Sequence, residues 1–125
     1  LSGGERQRGR LARVLAQLDD ATEGTRVLLL DEPTNHLDMV WQQTVLAVSG
    51  RLATRGVAVV AALHDLSQAA AWADRVVVLR DGVVRADGPP DRALTPDLIR
   101  DVYSLQVHIL PHPDTGRPLV VPATP

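Results

Sequence analysis

Apolar positions along the chain follow two different periods, which predicts alternating helices and strands. Glu5–Leu18 carries leucine and valine at helical spacing with arginines on the other faces, and a second helical segment runs over about Met39–Thr54. Val27–Leu30 and Val57–Leu63 are uninterrupted apolar runs, which are typical of parallel strands buried on both faces. This order of elements predicts an α/β fold with a parallel sheet at its centre.

The second half of the chain predicts shorter elements. An Ala-rich segment indicates a helix over Leu66–Ala73, and Asp81-Gly82 between two apolar runs predicts a β-hairpin. The prolines after Gly88 are expected to interrupt regular structure. Thr95 is a candidate N-cap, and it is followed by a proline and an aspartate that suit the first turn of a helix. A helix that extends to about Tyr103 is therefore expected. Two more short strands are expected, at residues 106–110 and 119–121.

The composition limits the class of protein. The 125 residues include no cysteine, which excludes disulfides and thiolate metal sites, and the net charge of −2 gives no reason to expect nucleic-acid binding. No apolar stretch approaches the roughly 20 residues that a membrane span needs. All 13 basic residues are arginine, whereas a phosphate-binding loop of the form GxxxxGK[ST] requires a lysine. The chain therefore holds no such loop, and we expect it to be a fragment that lacks an upstream half.

Two adjacent carboxylates follow the first apolar strand. Asp31 and Glu32 are expected at the C-terminal edge of the sheet, where open α/β sheets bind ligands. An aspartate there can hold Mg²⁺ through water, and a neighbouring glutamate can polarise an attacking water molecule. The alternative is a solvated acidic turn that caps the next helix.

A glycine pair precedes the first predicted helix. Gly3 and Gly4 allow the backbone to approach phosphate oxygens closely, while the helix start offers N–H groups and the Ser2 hydroxyl adds a donor. Ser2 is also a candidate N-cap with Glu5 three residues later, as in a capping box. Taken alone, this motif is more simply explained as a capped helix start.

Three motifs occur in a fixed order along the chain: Leu1-Ser2-Gly3-Gly4-Glu5, the run from Val27 to Asp38, and Leu63-His64-Asp65. Together they resemble the C-terminal half of an ABC-type ATPase, the nucleotide-binding subunit of an ABC transporter, and the first is a variant of that family's LSGGQ signature. The resemblance implies a partial P-loop NTPase domain of the α/β class. Residues 1–90 would form part of its parallel-sheet core, and residues 91–125 a C-terminal helix with a small β-rich appendage of the same domain.

The resemblance implies an ATPase that uses ATP and Mg²⁺. Asp31 resembles the Walker B aspartate, which holds the metal, and Glu32 resembles the catalytic base. His64 resembles the family's switch histidine, which touches the γ-phosphate. A hydrogen-bonded structural histidine is the alternative for His64.

The signature motif and the D-loop imply a second ATPase subunit in a head-to-tail dimer. By resemblance, the signature would close over the nucleotide of the partner subunit, and Asn35–Asp38 would run across the dimer interface. Helix capping is an equally good explanation for Asp38, and the two roles are compatible. The nucleotide-binding residues implied in this way are Ser2, Gly3, Gly4, Glu5 and Asp38.

The substrate branch is indicated by longer blocks of resemblance. Residues 63–70 resemble importer subunits for iron chelates. Residues 94–103 and 112–122 are similar to subunits for ferric siderophores, haem and cobalamin, and residues 11–18 are most similar to haem importers. Haem therefore ranks slightly above a ferric siderophore, with cobalamin third. The resemblance implies membrane permease subunits as partners, an indirect link to an extracytoplasmic substrate-binding protein, no nucleic acid, and a position at the cytoplasmic face of the membrane.

Two alternatives to the importer remain open. ABC-type translation factors that act on the ribosome also carry DEPTNHLD, but they usually have Ser-His-Asp-Arg in place of Leu63–Leu66 and are basic. The other alternative is a truncated remnant that does not hydrolyse ATP, and the isolated 125 residues are expected to be inactive. Truncation also predicts that the two apolar strands expose apolar edges or faces.

Overall fold

A computed structural model describes residues 3–20 and 24–125, and these divide into two units, one ending at Leu63 and the other running over His64–Pro125. Ser2, with its predicted capping role, lies outside the described residues. None of the helices in the described ranges is long and apolar enough to cross a bilayer. The division of the domain at residue 90 stays a prediction.

The first unit is built around a strand–helix–strand crossover. Its two strands are parallel neighbours over their whole length, an arrangement that needs a long connection such as a helix. This helix starts where predicted because the Asp38 carboxylate accepts a hydrogen bond from the N–H of Trp41 at 2.9 Å. The elements are α1 (Gly3–Asp20), β1 (Arg26–Asp31), α2 (Met39–Thr54) and β2 (Val57–Ala62).

The β1–β2 sheet is buried on one face only. Leu28 and Val57 are 2% and 3% exposed and lie on the inner face, whereas Leu29 is 74% exposed and Val60 is 59% exposed on the opposite face. The prediction of strands buried on both faces is therefore wrong for this chain. Its residues place a helix, α2, against β2 and leave the opposite, apolar face of the two strands exposed. Truncation as the reason for this exposure stays a prediction.

The second unit contains two antiparallel hairpins and three short helices. The predicted hairpin at Asp81-Gly82 is confirmed, since both residues have positive φ (52° and 74°), as a tight two-residue turn requires. The Thr95 hydroxyl accepts a hydrogen bond from the N–H of Leu98 and so caps the predicted helix. The elements are α3 (Leu66–Trp72), β3 (Val76–Arg80), β4 (Val83–Gly88), α4 (Pro90–Ala93), α5 (Pro96–Tyr103), β5 (Val107–Pro111) and β6 (Pro118–Pro122).

One helix of this unit was not expected. Residues 88–90 were predicted to interrupt regular structure, yet α4 begins at Pro90, where a missing N–H costs nothing because the first turn of a helix leaves that group unpaired. Ala93 and Leu94 at its end are buried in the core of the unit. That core comprises Ala70, Val76, Val78, Ala93, Leu94, Ile99, Val102 and Val107.

A bidentate ion pair fastens the β3–β4 hairpin near its open end. Arg75 donates from Nε and Nη2 to the two carboxylate oxygens of Asp87, at 2.6 and 2.7 Å. These hydrogen bonds hold the pKa of Asp87 below its ordinary value. The native state therefore binds a proton at Asp87 less readily than the unfolded chain does. The ion pair stabilises the fold above the ordinary aspartate pKa of about 3.9, and this contribution disappears as the pH falls through the native pKa.

We expect Asp87→Asn to lower the melting temperature modestly at neutral pH and to have little effect in strong acid, where wild-type Asp87 is protonated as well. Thermal unfolding of both proteins at the two pH values measures this. Asp114→Asn, at an exposed turn, is the matched control and should change neither value. An equal destabilisation by Asp87→Asn at both pH values would mean that the charge of Asp87 is not what stabilises the hairpin.

Candidate functional site

The two adjacent acids lie where β1 leaves the sheet. Asp31 is the last residue of β1 and pairs with Ala62 of β2. Glu32 continues the pairing by one hydrogen bond, from its N–H to the carbonyl of Ala62 at 2.9 Å, but has φ of 47°. A non-glycine residue in this left-handed region costs on the order of 1–3 kcal/mol. The backbone thus turns sharply at Glu32, and both carboxylates are exposed at the end of the parallel strands.

Glu32 is held in place by Asn35. The N–H of Asn35 donates to the carbonyl of Glu32 at 3.1 Å, and its side-chain amide donates to Oε2 of the Glu32 carboxylate. One residue therefore closes the turn through its backbone and fixes the direction of the carboxylate through its side chain. The resemblance places Asn35 in the D-loop and does not by itself indicate that Asn35 is the partner of Glu32. An asparagine three residues after an acid at a strand end is a signal that could have identified it.

The acidic turn, defined here as residues 31–38, ends at α2. Asp38 is its last residue and the N-cap of α2, so the predicted capping role is confirmed. Its role in the D-loop stays a prediction. His36, within the turn, has φ of 62°, so the turn contains two non-glycine residues in the left-handed region.

The start of α1 lies beside this turn. A Cβ atom added to Gly3 would lie 3.6 Å from Cβ of His36, which is ordinary van der Waals contact. A cleft of about 440 Å³ opens between the start of α1 and the turn. The structure thus brings together the predicted site residues Gly3, Gly4 and Asp38. The lining residues are Gly3, Gly4, Arg8, His36, Leu37 and Asp38. Glu5 is exposed in the first turn of α1.

His64 belongs to the second unit, and its predicted role at the γ-phosphate stays a prediction. It directly precedes Asp65, whose carboxylate caps α3 by accepting hydrogen bonds from the N–H groups of Ser67 and Gln68 at 2.9 and 3.1 Å. This cap fixes where the helix starts and so sets the position of His64 one residue before the cap. Within this unit His64 borders a second cleft, of about 440 Å³, together with Tyr103 and other residues.

The acidic residues at the end of β1 suit a metal ion that takes most of its ligands from water and substrate phosphates. Among the side chains that the structure describes, no three of histidine, cysteine, aspartate or glutamate are grouped as a metal site would require. Mg²⁺ in phosphate-processing enzymes is usually held by one or two carboxylates, with water and substrate phosphates completing the shell. The exposed carboxylate of Asp31 fits that donor set.

Sequence comparison finds close relatives among curated proteins. No family model matches the sequence. The chain is 51% identical over 123 residues to the hemin import ATP-binding protein HmuV of Gloeobacter violaceus, which is 98% of this chain and 45% of that protein. It is 54% identical over 122 residues to HmuV of Nocardia farcinica, covering 98% of this chain and 40% of that protein. The chain thus spans less than half the length of these relatives.

Structure comparison finds a similar chain in a solved transporter. An ABC transporter assigned to the metal-chelate type, in an inward-facing conformation, matches with a TM-score of 0.77 and 26% sequence identity. The match covers 99% of this chain and 48% of the transporter chain.

Proposed function

Because the chain belongs, over the length that it spans, to the ATP-binding proteins of ABC transporters, we propose that it forms part of an ATPase subunit that energises the uptake of haem. The two relatives share about half of their aligned residues with this chain, and they support haem as the substrate because they are named for hemin import. Similarity to a transporter of the metal-chelate type supports a ferric siderophore as the second candidate substrate. These relatives are import proteins and not translation factors, so the ribosomal alternative has no support.

The acidic turn is the observation that carries this proposal. Glu32 is fixed by Asn35 at the end of a parallel strand, which is the edge where α/β sheets bind ligands. A carboxylate held in one direction can accept a hydrogen bond from a water molecule and take its proton as that water attacks a phosphate. Glu32 is therefore the proposed base.

Asp31 is the proposed contact for the metal. In this proposal Mg²⁺, when bound with ATP, neutralises charge on the phosphate oxygens. Asp31 precedes Glu32 and is still within the β1–β2 pairing, whereas Glu32 has already turned to a left-handed conformation. Neighbouring residues with such different backbone conformations direct their side chains differently, so one can face the metal and the other the water.

The cleft beside α1 is the proposed contact with a second subunit. Gly3, Gly4 and Asp38 are among the residues that line this cleft. We assign Ser2, Glu5 and the two glycines to the nucleotide of the partner subunit in a head-to-tail dimer, and His64 to the γ-phosphate. The proposed subunit works with permease subunits in the membrane and is linked indirectly to a substrate-binding protein. Its proposed position is the cytoplasmic face of the membrane.

We expect the isolated chain to bind Mg-ATP poorly, because it contains no lysine and hence no loop of the GxxxxGK[ST] type. Joined to the upstream part of the Gloeobacter violaceus relative, it should bind ATP in the micromolar range and hydrolyse it. Calorimetric titration and phosphate release measure the two properties. Asp114→Asn in the joined protein is the control and should change neither.

Two results would contradict the proposal. Micromolar binding of Mg-ATP by the isolated chain would show that its nucleotide site is of another kind. A joined protein that is folded and binds ATP, yet releases no phosphate even with permease subunits present, would leave the acidic turn without a role in hydrolysis.

A further inference from the structure

An arginine occupies a position of α1 that the helical pattern reserves for inward-facing residues. Half-buried residues recur along one side of the helix, mostly at spacings of three and four: Gly4, Arg8, Leu11, Val14, Leu15 and Leu18. The other arginines of this helix are exposed: they are Arg6, Arg10 and Arg13. Arg8 therefore differs from its neighbours in facing the rest of the unit.

Arg8 faces the ring of Trp41. Its guanidinium carbon lies 4.7 Å from the ring centroid, within the range of a cation–π contact. A planar guanidinium stacks on an aromatic ring and keeps its charge at all physiological pH values. The contact joins α1 to the first turn of α2 across 33 residues of sequence.

Trp41 is itself tied to the acidic turn. Its N–H donates to the Asp38 carboxylate at 2.9 Å, and the first turn of α1 meets the same segment again where Gly3 lies against His36. The opposite end of the turn is fastened to the sheet by the hydrogen bond from Glu32 to Ala62. The turn is therefore held at both ends, and α1 contacts it from the side.

We propose that Arg8 and Trp41 are positioning residues for the acidic turn: their contact holds the start of α1 against this segment and keeps the Glu32 carboxylate in one orientation. The turn needs such support because Glu32 and His36 both adopt left-handed backbone conformations, which persist only where surrounding contacts hold them. The importance of this contact for catalysis rests on the proposed role of Glu32. The contact between Arg8 and Trp41 and its hold on the turn, called the clamp below, do not depend on that role.

The clamp is tested by amide hydrogen exchange in the full 125-residue chain. Three amides report on the turn because each donates a hydrogen bond there: Glu32, Asn35 and Trp41. We expect Arg8→Gln and Trp41→Leu each to speed exchange at these amides about two- to fivefold, the factor that corresponds to an exposed cation–π contact. The double variant should exchange no faster than the more affected single variant.

Matched variants separate the contact from general effects on the helix. Arg8→Lys and Trp41→Phe keep a cation and a ring, and should restore most of the protection. Arg10→Gln removes an exposed arginine from the same helix and should change nothing. Unchanged exchange in Arg8→Gln overturns the proposal, and so does an equal acceleration throughout β1 and β2, since that would show a general loss of stability.

Kinetics in the joined protein connect the clamp to turnover. Arg8→Gln is expected to lower kcat severalfold with KM for ATP unchanged, and Arg8→Lys to recover it. An increase in KM alone would overturn the positioning role. If neutralising Glu32 leaves hydrolysis intact, the proposed function fails, but the exchange result still decides whether Arg8 and Trp41 hold the turn.

Discussion

Glu32→Gln is expected to slow ATP hydrolysis by about 10²–10⁴-fold in the joined protein, the range for loss of a general base. Glutamine keeps the shape of the side chain and an oxygen that can accept the hydrogen bond from Asn35, but it cannot take a proton from water. ATP binding should therefore persist. Phosphate release at saturating ATP measures the loss, and nucleotide titration on the same preparation checks the binding.

The control for this prediction is a carboxylate away from the turn. Asp114→Asn removes one negative charge from an exposed turn of the second unit and should leave turnover within experimental error of wild type. Wild-type turnover in Glu32→Gln would remove Glu32 as the base. Loss of ATP binding together with turnover would instead assign the residue to nucleotide affinity.

Ile99→Ala is expected to destabilise the second unit by about 2–5 kcal/mol, the range for deleting a buried aliphatic side chain. Ile99 is fully buried at 0% exposure and lies on α5 within the core of that unit. The substitution leaves a cavity that the surrounding helices and strands can fill only in part. Urea unfolding followed by far-ultraviolet circular dichroism measures the change.

Leu79→Ala provides the comparison for Ile99→Ala. Leu79 also belongs to the second unit but is 62% exposed on β3, so its truncation should change stability by no more than about 0.5 kcal/mol. Equal losses from the two substitutions would mean that the core does not lie where the structure places it.

Local sequence patterns were sufficient to predict most elements. The bounds of α2 follow from a capping aspartate at one end and Gly56, with φ of 87°, just beyond the other. The Asp81-Gly82 turn is similarly determined by the two residues that form it. In both cases the deciding interactions lie within a few residues of one another.

Features that depend on distant partners could not be predicted in this way. Burial of β1 depends on what covers each face, and four consecutive apolar residues give no information on that. The Arg8–Trp41 contact requires two helices to pack at a particular angle. The acids of the site were predictable as residue types at a strand end, and the spacing of Asn35 from Glu32 is a signal for their pairing. The direction that Asn35 gives to the Glu32 carboxylate, however, depends on how the whole turn closes.

The chain contains two tryptophans, and they fall in different units: Trp41 near the start of α2 and Trp72 at the end of α3. Replacing either by phenylalanine leaves an intrinsic fluorophore confined to one unit. Emission from each single-tryptophan protein can then show whether the halves melt in one step or two. The fluorescence emission of Trp41 would also report on any ligand whose binding changes the contact between its ring and Arg8.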